Sequence, residues 1–584
     1  DIASGAGLSF GNARATAGDL RIATHGDLAF VGATATGAVN LSTTSGSIGE
    51  APTGGVISGG NLSLVAPGGI MLPAARSGGT TLLNSSGGAV TVGNLMSAGL
   101  VTATGDSLDI ASPGSLSFAG VSGKNAVSIG TAGDLALASA TAGGNLSLGS
   151  TGGNVSASGD LSGADVSLTS AGGITVDGKL AGGGTLAVDA RQALTLGGDA
   201  SAASANVVAD GGITTAGFNT TGDAIFHASG GDLSIGDLTT GGSATATGKN
   251  VTIGSSGGLR FAALDASGDA HLTAAGDVAA DGDLTAGGLL SIKAGGGFTL
   301  GAMGVGATID VTSNDVQLGA GAQLGKRGVT QELTLTNGAP GSMTFIGGAA
   351  GAGGYDLDAA EAGRLFADKS ISLLSSGDVT IGDLQFTFGE NGGLGTGGTL
   401  RVATPGAVKV TGAVKLTTSS GGDQFIIDPT LIHVIAGTGS IAMLAPAGAA
   451  QGTLNLGADT VAVMDQATFD KVSGLTDLAA ISKVLAAPGP TGPAGGYLRA
   501  GTIQVGVTDA FLVQNGGASD AFANRTGFTA NALQITTATG AAKIAINGVI
   551  VQDGKPVTGL DTIPLVTING AAAGAGMDMA TMAD

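Results

Sequence analysis

Three strings in this sequence spell enzyme motifs. Gly393-Leu394-Gly395-Thr396-Gly397-Gly398 fits the GxGxxG pattern of a dinucleotide-binding turn. That chemistry needs a helix N-terminus behind the turn to hold the pyrophosphate, and Thr399-Leu400-Arg401-Val402 reads as a strand instead. Gly254-Ser255-Ser256-Gly257-Gly258 fits GxSxG, the string of a nucleophile elbow, but no helical pattern follows it. Lysine follows Gly123, Gly178, Gly248, Gly325 and Gly554, and none of these pairs continues into Ser or Thr, as a phosphate-binding loop requires. The chain holds 112 glycines, so all of these matches read as Gly-rich turns.

The metal chemistries fare no better. His25, His227, His271 and His433 lie too far apart in sequence for a metal motif, and each reads as a coil-surface or core position. Gly230-Gly231-Asp232-Leu233 and Asp281-Gly282-Asp283 do not reproduce the tandem calcium nonapeptide, and no EF-hand loop is present. These acids read as solvated turn carboxylates, with weak calcium binding as the most they would do. There is no cysteine, which removes thiolate nucleophiles, disulfides and Cys-based metal sites. Grooves that process polysaccharides combine aromatic platforms with clustered acids or bases. This chain has no Trp, and Tyr355 and Tyr497 are its two Tyr. Its 16 Phe read as core fillers, as at Phe30, Phe118 and Phe298. A polysaccharide-processing enzyme is therefore the weakest reading. No catalytic, cofactor-binding or metal-binding residue is assigned, no cofactor is expected, and the chain reads as not an enzyme.

The elements that would position any site come from one repeated phrase, Gly-[Asp/Asn]-Leu-x-Leu. It occurs at Gly18-Asp19-Leu20-Arg21-Ile22, Gly60-Asn61-Leu62-Ser63-Leu64, Gly133-Asp134-Leu135-Ala136-Leu137, Gly144-Asn145-Leu146-Ser147-Leu148 and Gly231-Asp232-Leu233-Ser234-Ile235. The apolar–polar–apolar ending is strand periodicity, and the Gly-Asp or Gly-Asn pair suits a tight turn with positive φ. Two ladders run through the middle of the chain. One is Leu135, Val155, Ile174, Leu194, Ile213, Leu233, Val251, Ala270, Leu290, Ile309. The other is Leu146, Val166, Leu186, Val207, Ala224, Ala244, Leu259, Val278, Phe298, Val316. Most steps are 19 or 20 residues. A repeat of that length built from short strands is the mark of a solenoid, because one coil cannot bury its own apolar residues and a stack can. The expected fold is all-β, a right-handed parallel β-helix of roughly 20 to 25 coils with short flanking helices and a C-terminal cap.

Composition agrees. Charged residues are 11 % against roughly 25 % in an average soluble domain, while 43 % are hydrophobic, so the chain is not of the disordered type. The net charge of −21 argues against nucleic acid as a partner and against attraction to anionic lipid, and favours solubility. No apolar run of 18 or more residues is present, so the chain is not expected to span a membrane. With no initiating Met and no signal peptide, it reads as a processed or excised part of a longer protein.

Regular repeats are expected over 1–325. The rhythm fails near 326–370, where Asp358-Ala359-Ala360-Glu361 reads as a capping box. The expectation there is a β-helix over 326–440 with a helical insert near 356–368, holding Leu365 and Phe366 inside the helix. Residues 441–570 read as an atypical cap. Phe469, Val472, Leu478, Ile481 and Leu485 suit helices near 465–487, and strands resume at Ile503-Gln504-Val505, Leu533-Gln534-Ile535 and Ile544-Ala545-Ile546. Residues 571–584 read as a flexible tail.

The coil phrases over about 1–320 resemble the filamentous-hemagglutinin-type exoproteins of the two-partner secretion family. Later stretches are similar to its alphaproteobacterial members: Tyr355-Asp356-Leu357-Asp358-Ala359-Ala360-Glu361, Gly496-Tyr497-Leu498-Arg499-Ala500-Gly501-Thr502-Ile503, Leu512-Val513-Gln514-Asn515 and Arg525-Thr526-Gly527-Phe528. The resemblance implies secretion to the bacterial cell surface through an outer-membrane pore partner, and a role in adhesion, aggregation or biofilm formation. The expected function is thus the shaft of a secreted adhesin that meets a surface, glycan or cell receptor of unknown identity. The alternatives are a self-assembling extracellular filament or matrix subunit and, far behind, the polysaccharide-processing enzyme.

Overall fold

A computed structural model describes residues 1–50, 56–348, 354–487, 489–490, 497–514, 528–537, 543–546, 549–550, 565–568 and 571–573. The chain forms two compact units, Asp1–Gly268 and Asp269–Asp584. Each is a β-solenoid. Together they make about 21 turns of nearly all parallel sheet, with three short helices among the described residues.

One coil shows how the sequence does this. In the strand Leu116–Gly123, Leu116, Phe118, Val121 and Gly123 point inward, while Ala119 and Gly120 in succession do not. Two non-buried residues in a row break the alternation and bend the strand into two faces. A turn then leads to the third face, Val127–Thr131, which alternates buried and exposed. In later coils the bend separates the halves, as in Leu135–Leu137 and Ala140–Ala142. Strands of three to five residues have no stability alone. They gain it because each face pairs in parallel with the same face one coil on: Leu135 with Val155, Ala140 with Leu161, Leu146 with Val166.

The first ladder is a true column within each unit. Register pairs run from Leu135 through Val155, Ile174, Leu194, Ile213 and Leu233 to Val251. In the second unit they run from Ala270 through Leu290 to Ile309. The second ladder needs two corrections. Leu186 pairs with Ala205, not Val207, which instead faces Val188. Ala244 pairs with Phe261, not Leu259, and a register shift falls between Ala244 and Thr245. The rhythm expected to fail near 326 fails only in the loops. Ile309 continues to Leu333, Ile371, Leu400, Phe425, Leu454, Ile503 and Leu533, so the column persists while the excursions between strands lengthen.

The insert carries the first helix, α1 (Ala359–Ala362), with the capping box in place. The Glu361 N–H donates to Asp358 Oδ1 at 2.7 Å and the Asp358 N–H to Glu361 Oε2 at 3.0 Å. The helix is shorter than expected. It ends at Gly363, and Leu365 leaves it to bridge Leu324 in parallel, with Phe366 also beyond the helix. Burying Leu365 in the wall (1 % exposed) wins over another helical turn.

Helices α2 (Gln466–Val472) and α3 (Leu478–Leu485) fall within the expected 465–487, capped by Asp465 and Asp477. They cover the outer side of the wall. Val461, Ala462, Val463 and Met464 are all buried, because Ala462 and Met464 face the helices while their neighbours face the core. Ala510, Leu512 and Ala545 extend the covered row, and Val472, Ile481 and Leu485 close on it. Among the described residues the antiparallel pairings are Lys543–Ile546 with Val549–Ile550 and Leu565–Ile568 with Ala571–Ala573. The rest of the expected tail, 574–584, lies outside the described residues. No helix among them is long and apolar enough to cross a membrane.

Candidate functional surface

The structure gives the GxGxxG and GxSxG strings structural partners. The GxGxxG turn leads into the strand Thr399–Ala403, and its Gly397 N–H donates to Asp423 Oδ1 at 2.6 Å. Asp423 is fully buried and also accepts the N–H groups of Ser419 and Ser420, at 2.6 and 2.9 Å. The anion that this turn holds is the chain's own carboxylate. Asp423→Ala leaves three N–H donors without their acceptor. It is expected to cost about 1–3 kcal/mol and to raise amide exchange selectively at 393–398 and 419–420. Equal exchange in variant and wild type would show that the carboxylate carries no load.

In the GxSxG string, Ser256 donates its Oγ–H to Asp237 Oδ2 at 2.9 Å and its N–H to Oδ1 at 2.7 Å. Ser255 is 9 % exposed and accepts the Gly257 N–H. The strand Leu259–Ala266 follows, so neither serine sits on an elbow. His25 lies 2.7 Å from Thr44 Oγ1, and His227 and His271 are exposed. Only His433 is buried. It stacks on Phe469 with ring centres 4.2 Å apart and donates its Nε2–H to Met464 O at 3.0 Å. Among the described residues no three His, Asp or Glu converge as a metal site.

The repeated phrase has a function that the sequence reading missed. Its Asp or Asn holds the next coil. Asp19 Oδ1 accepts the Ala38 N–H at 2.8 Å, Asn61 that of Thr80 at 2.9 Å, Asp134 that of Asn154 at 2.8 Å, and Asn154 that of Gly173 at 2.8 Å. The second unit repeats the device, with Asp378 on Ala407 and Asp383 on Ala413, at 2.8 and 2.7 Å. Asp165 takes both the N–H and the hydroxyl of Thr185, and these bonds hold its pKa below the ordinary carboxylate value. Asp232 and Asp283, of the strings compared with calcium motifs, accept the Asn250 and Met303 N–H groups in this way. Strand-end hydroxyls add a second tie: Ser170 donates to Gly153 O of the coil before at 2.8 Å. The visible signal was that Asp or Asn recurs at one point of the phrase. Asp134→Asn is therefore expected to melt with wild type, since Asn61 and Asn154 already serve, while Asp134→Ala melts a little lower.

The phrase glycines were expected to supply positive φ. Of the five quoted, only Gly18 has it, at 87°. The others serve close approach, as at Gly231, where an added Cβ would stand 2.3 Å from the Gly212 nitrogen.

What remains free is the lateral surface. In the first unit a trough of about 550 Å³ crosses four coils, floored by Ser117, Ala136, Ser156 and Thr175 and rimmed by Asp134 and Asn154. The same outward row continues through Thr195, Thr214, Ser234 and Thr252. In the second unit a trough of about 330 Å³ runs over Gly457 and Gly506 between Asp428, Asp459 and Thr508. Arg401 pairs with Asp428 at 2.7 Å and Thr508 donates to Asp459 at 2.5 Å. Both surfaces offer repeated short hydrogen-bonding side chains along the stacking direction. No family model, curated protein or solved structure matches the chain.

Proposed function

We propose that the chain is the shaft of a secreted bacterial surface adhesin of the filamentous-hemagglutinin type, supporting attachment and biofilm formation without catalysing a reaction. The observation that carries the reading is the way polar groups are used. The phrase Asp and Asn are spent on tying coil to coil, while the outward row from Ser156 to Thr252 repeats a Ser or Thr on successive turns. A stack tied in this way resists opening except at its ends. A row of like contacts suits multivalent capture, where many weak bonds sum to a useful one.

The test is deletion of the coding region for this chain, with secretion of the remainder verified. Attachment of cells to surfaces and to one another is then measured. Lost attachment, restored by supplying the segment, is the expected result. Unchanged attachment would discard the adhesin shaft and leave the filament or matrix subunit as the leading reading.

A further inference from the structure

The buried histidine stands where the solenoid wall meets the two helices. His433 is on the outer side of Leu431–Ile435, in register with Lys409 on one neighbouring strand and Ala462 on the other. It is 4 % exposed, with its ring nearly parallel to that of Phe469 in α2. The Met464 carbonyl that it reaches also accepts the Ala436 N–H at 3.1 Å, so the carbonyl does not depend on the imidazole. Beside it lies the apolar row of Ala462, Met464, Ala510, Leu512 and Ala545, covered among the described residues by the helices.

Three charged groups act on the ring: Lys409 from the adjoining strand, Asp470 from α2, and Asp465 at the α2 N-cap. Asp470 is exposed and holds the Gln466 amide at 2.7 Å. Asp465 is already engaged by the N–H and hydroxyl of Thr468, at 2.9 and 3.1 Å. Neither carboxylate bonds the imidazole, and Lys409 repels a charge on it.

We propose that α2 and α3 form an acid-released flap latched by neutral His433, whose protonation frees the helices and uncovers the apolar row beneath. An imidazolium sealed against Phe469 loses its water without gaining a bonded counter-charge. Burial above all, with Lys409 adding to it, holds the pKa of His433 below the ordinary imidazole value, against the opposing pull of Met464 O, Asp470 and Asp465. In the open state the ring takes its proton near the ordinary value of about 6.5. The closed flap is therefore fully stable above that pH. It weakens as pH falls from there towards the closed-state pKa, and weakens no further below it.

Amide exchange of the full chain between pH 7.5 and 5, corrected for the intrinsic pH dependence, reads this directly. Exchange across 466–485 is expected to rise on acidification, by about tenfold for each pH unit that the closed-state pKa lies below the open-state value. Peptides from the 135–260 coils stay constant. His433→Phe keeps the stack and removes the proton site, so its flap exchange should not follow pH. A flat wild-type profile, or one that His433→Phe reproduces, overturns the proposal. Should that variant misfold, ring NMR of the wild type decides: His433 must titrate below the ordinary imidazole value of about 6.5, and titration at that value overturns it equally.

Discussion

Phe226→Ala is expected to cost about 3–5 kcal/mol and to loosen the coils on either side of it. Phe226 is fully buried and meets Phe218 edge to face, with centroids 4.9 Å apart and planes at 87°. Its register partners are Val207 and Ala246, both smaller. The ring therefore fills space that its neighbours cannot reach, and the hole stays open once it is cut back. Ile225, one residue earlier, is 45 % exposed on the outer side, so Ile225→Ser should stay within about 0.5 kcal/mol of wild type. A stack couples each coil mainly to the next, so amide exchange at 205–209 and 244–248 is a better readout than one melting temperature for the whole chain. Equal exchange in the two variants would mean that the column is not what holds these coils.

The contrast between those two residues also explains what the sequence made legible. An inward position that is large and apolar in every coil, as from Leu135 to Val251, reads straight off the period. The second ladder slipped at Val207 and Leu259 because each strand offers two inward residues two positions apart: Ala205 and Val207, Leu259 and Phe261, all buried. A slip of two keeps the face, so alternation cannot detect it. Beyond 326 the column continues, but loops of unequal length hide it from any search for a constant period. The α1 cap was readable because its donors and acceptors lie three residues apart. The tie from Asp134 to Asn154 was not, since it exists only once the coils are stacked. His433 was within reach. Leu431-Ile432-His433-Val434-Ile435, like Val461-Ala462-Val463-Met464, breaks alternation with an apolar run, the pattern of a strand covered on both faces.

Gly88→Val should do more damage than any exposed substitution in the first unit, although it adds only a small apolar group at a surface turn. Gly26, Gly46, Gly68 and Gly88 stack at the same turn of successive coils. A Cβ on Gly46 would stand 2.4 Å from the Gly26 carbonyl carbon, and one on Gly88 would stand 1.9 Å from Gly68 O and 2.3 Å from its carbon. These are backbone atoms with no rotamer to turn aside, and the Asp106 N–H is bonded to Gly88 O at 2.9 Å from the other side. Relief requires the two coils to part, which breaks the parallel bonds of Ile70 and Val90 and exposes the apolar column between them. The cost belongs at or beyond the upper end of the about 1–3 kcal/mol for overpacking a core. Gly120→Ala is the control, since its Cβ would meet nothing within 4 Å. Exchange at 70–77 and 90–97 should rise in Gly88→Val and stay unchanged in Gly120→Ala. If the two behave alike, the glycines are there for turn flexibility. If they differ as expected, Gly26, Gly46, Gly68 and Gly88 are a packing requirement of coils stacked at strand spacing, and a coil can be lengthened in its loops but not thickened at this turn.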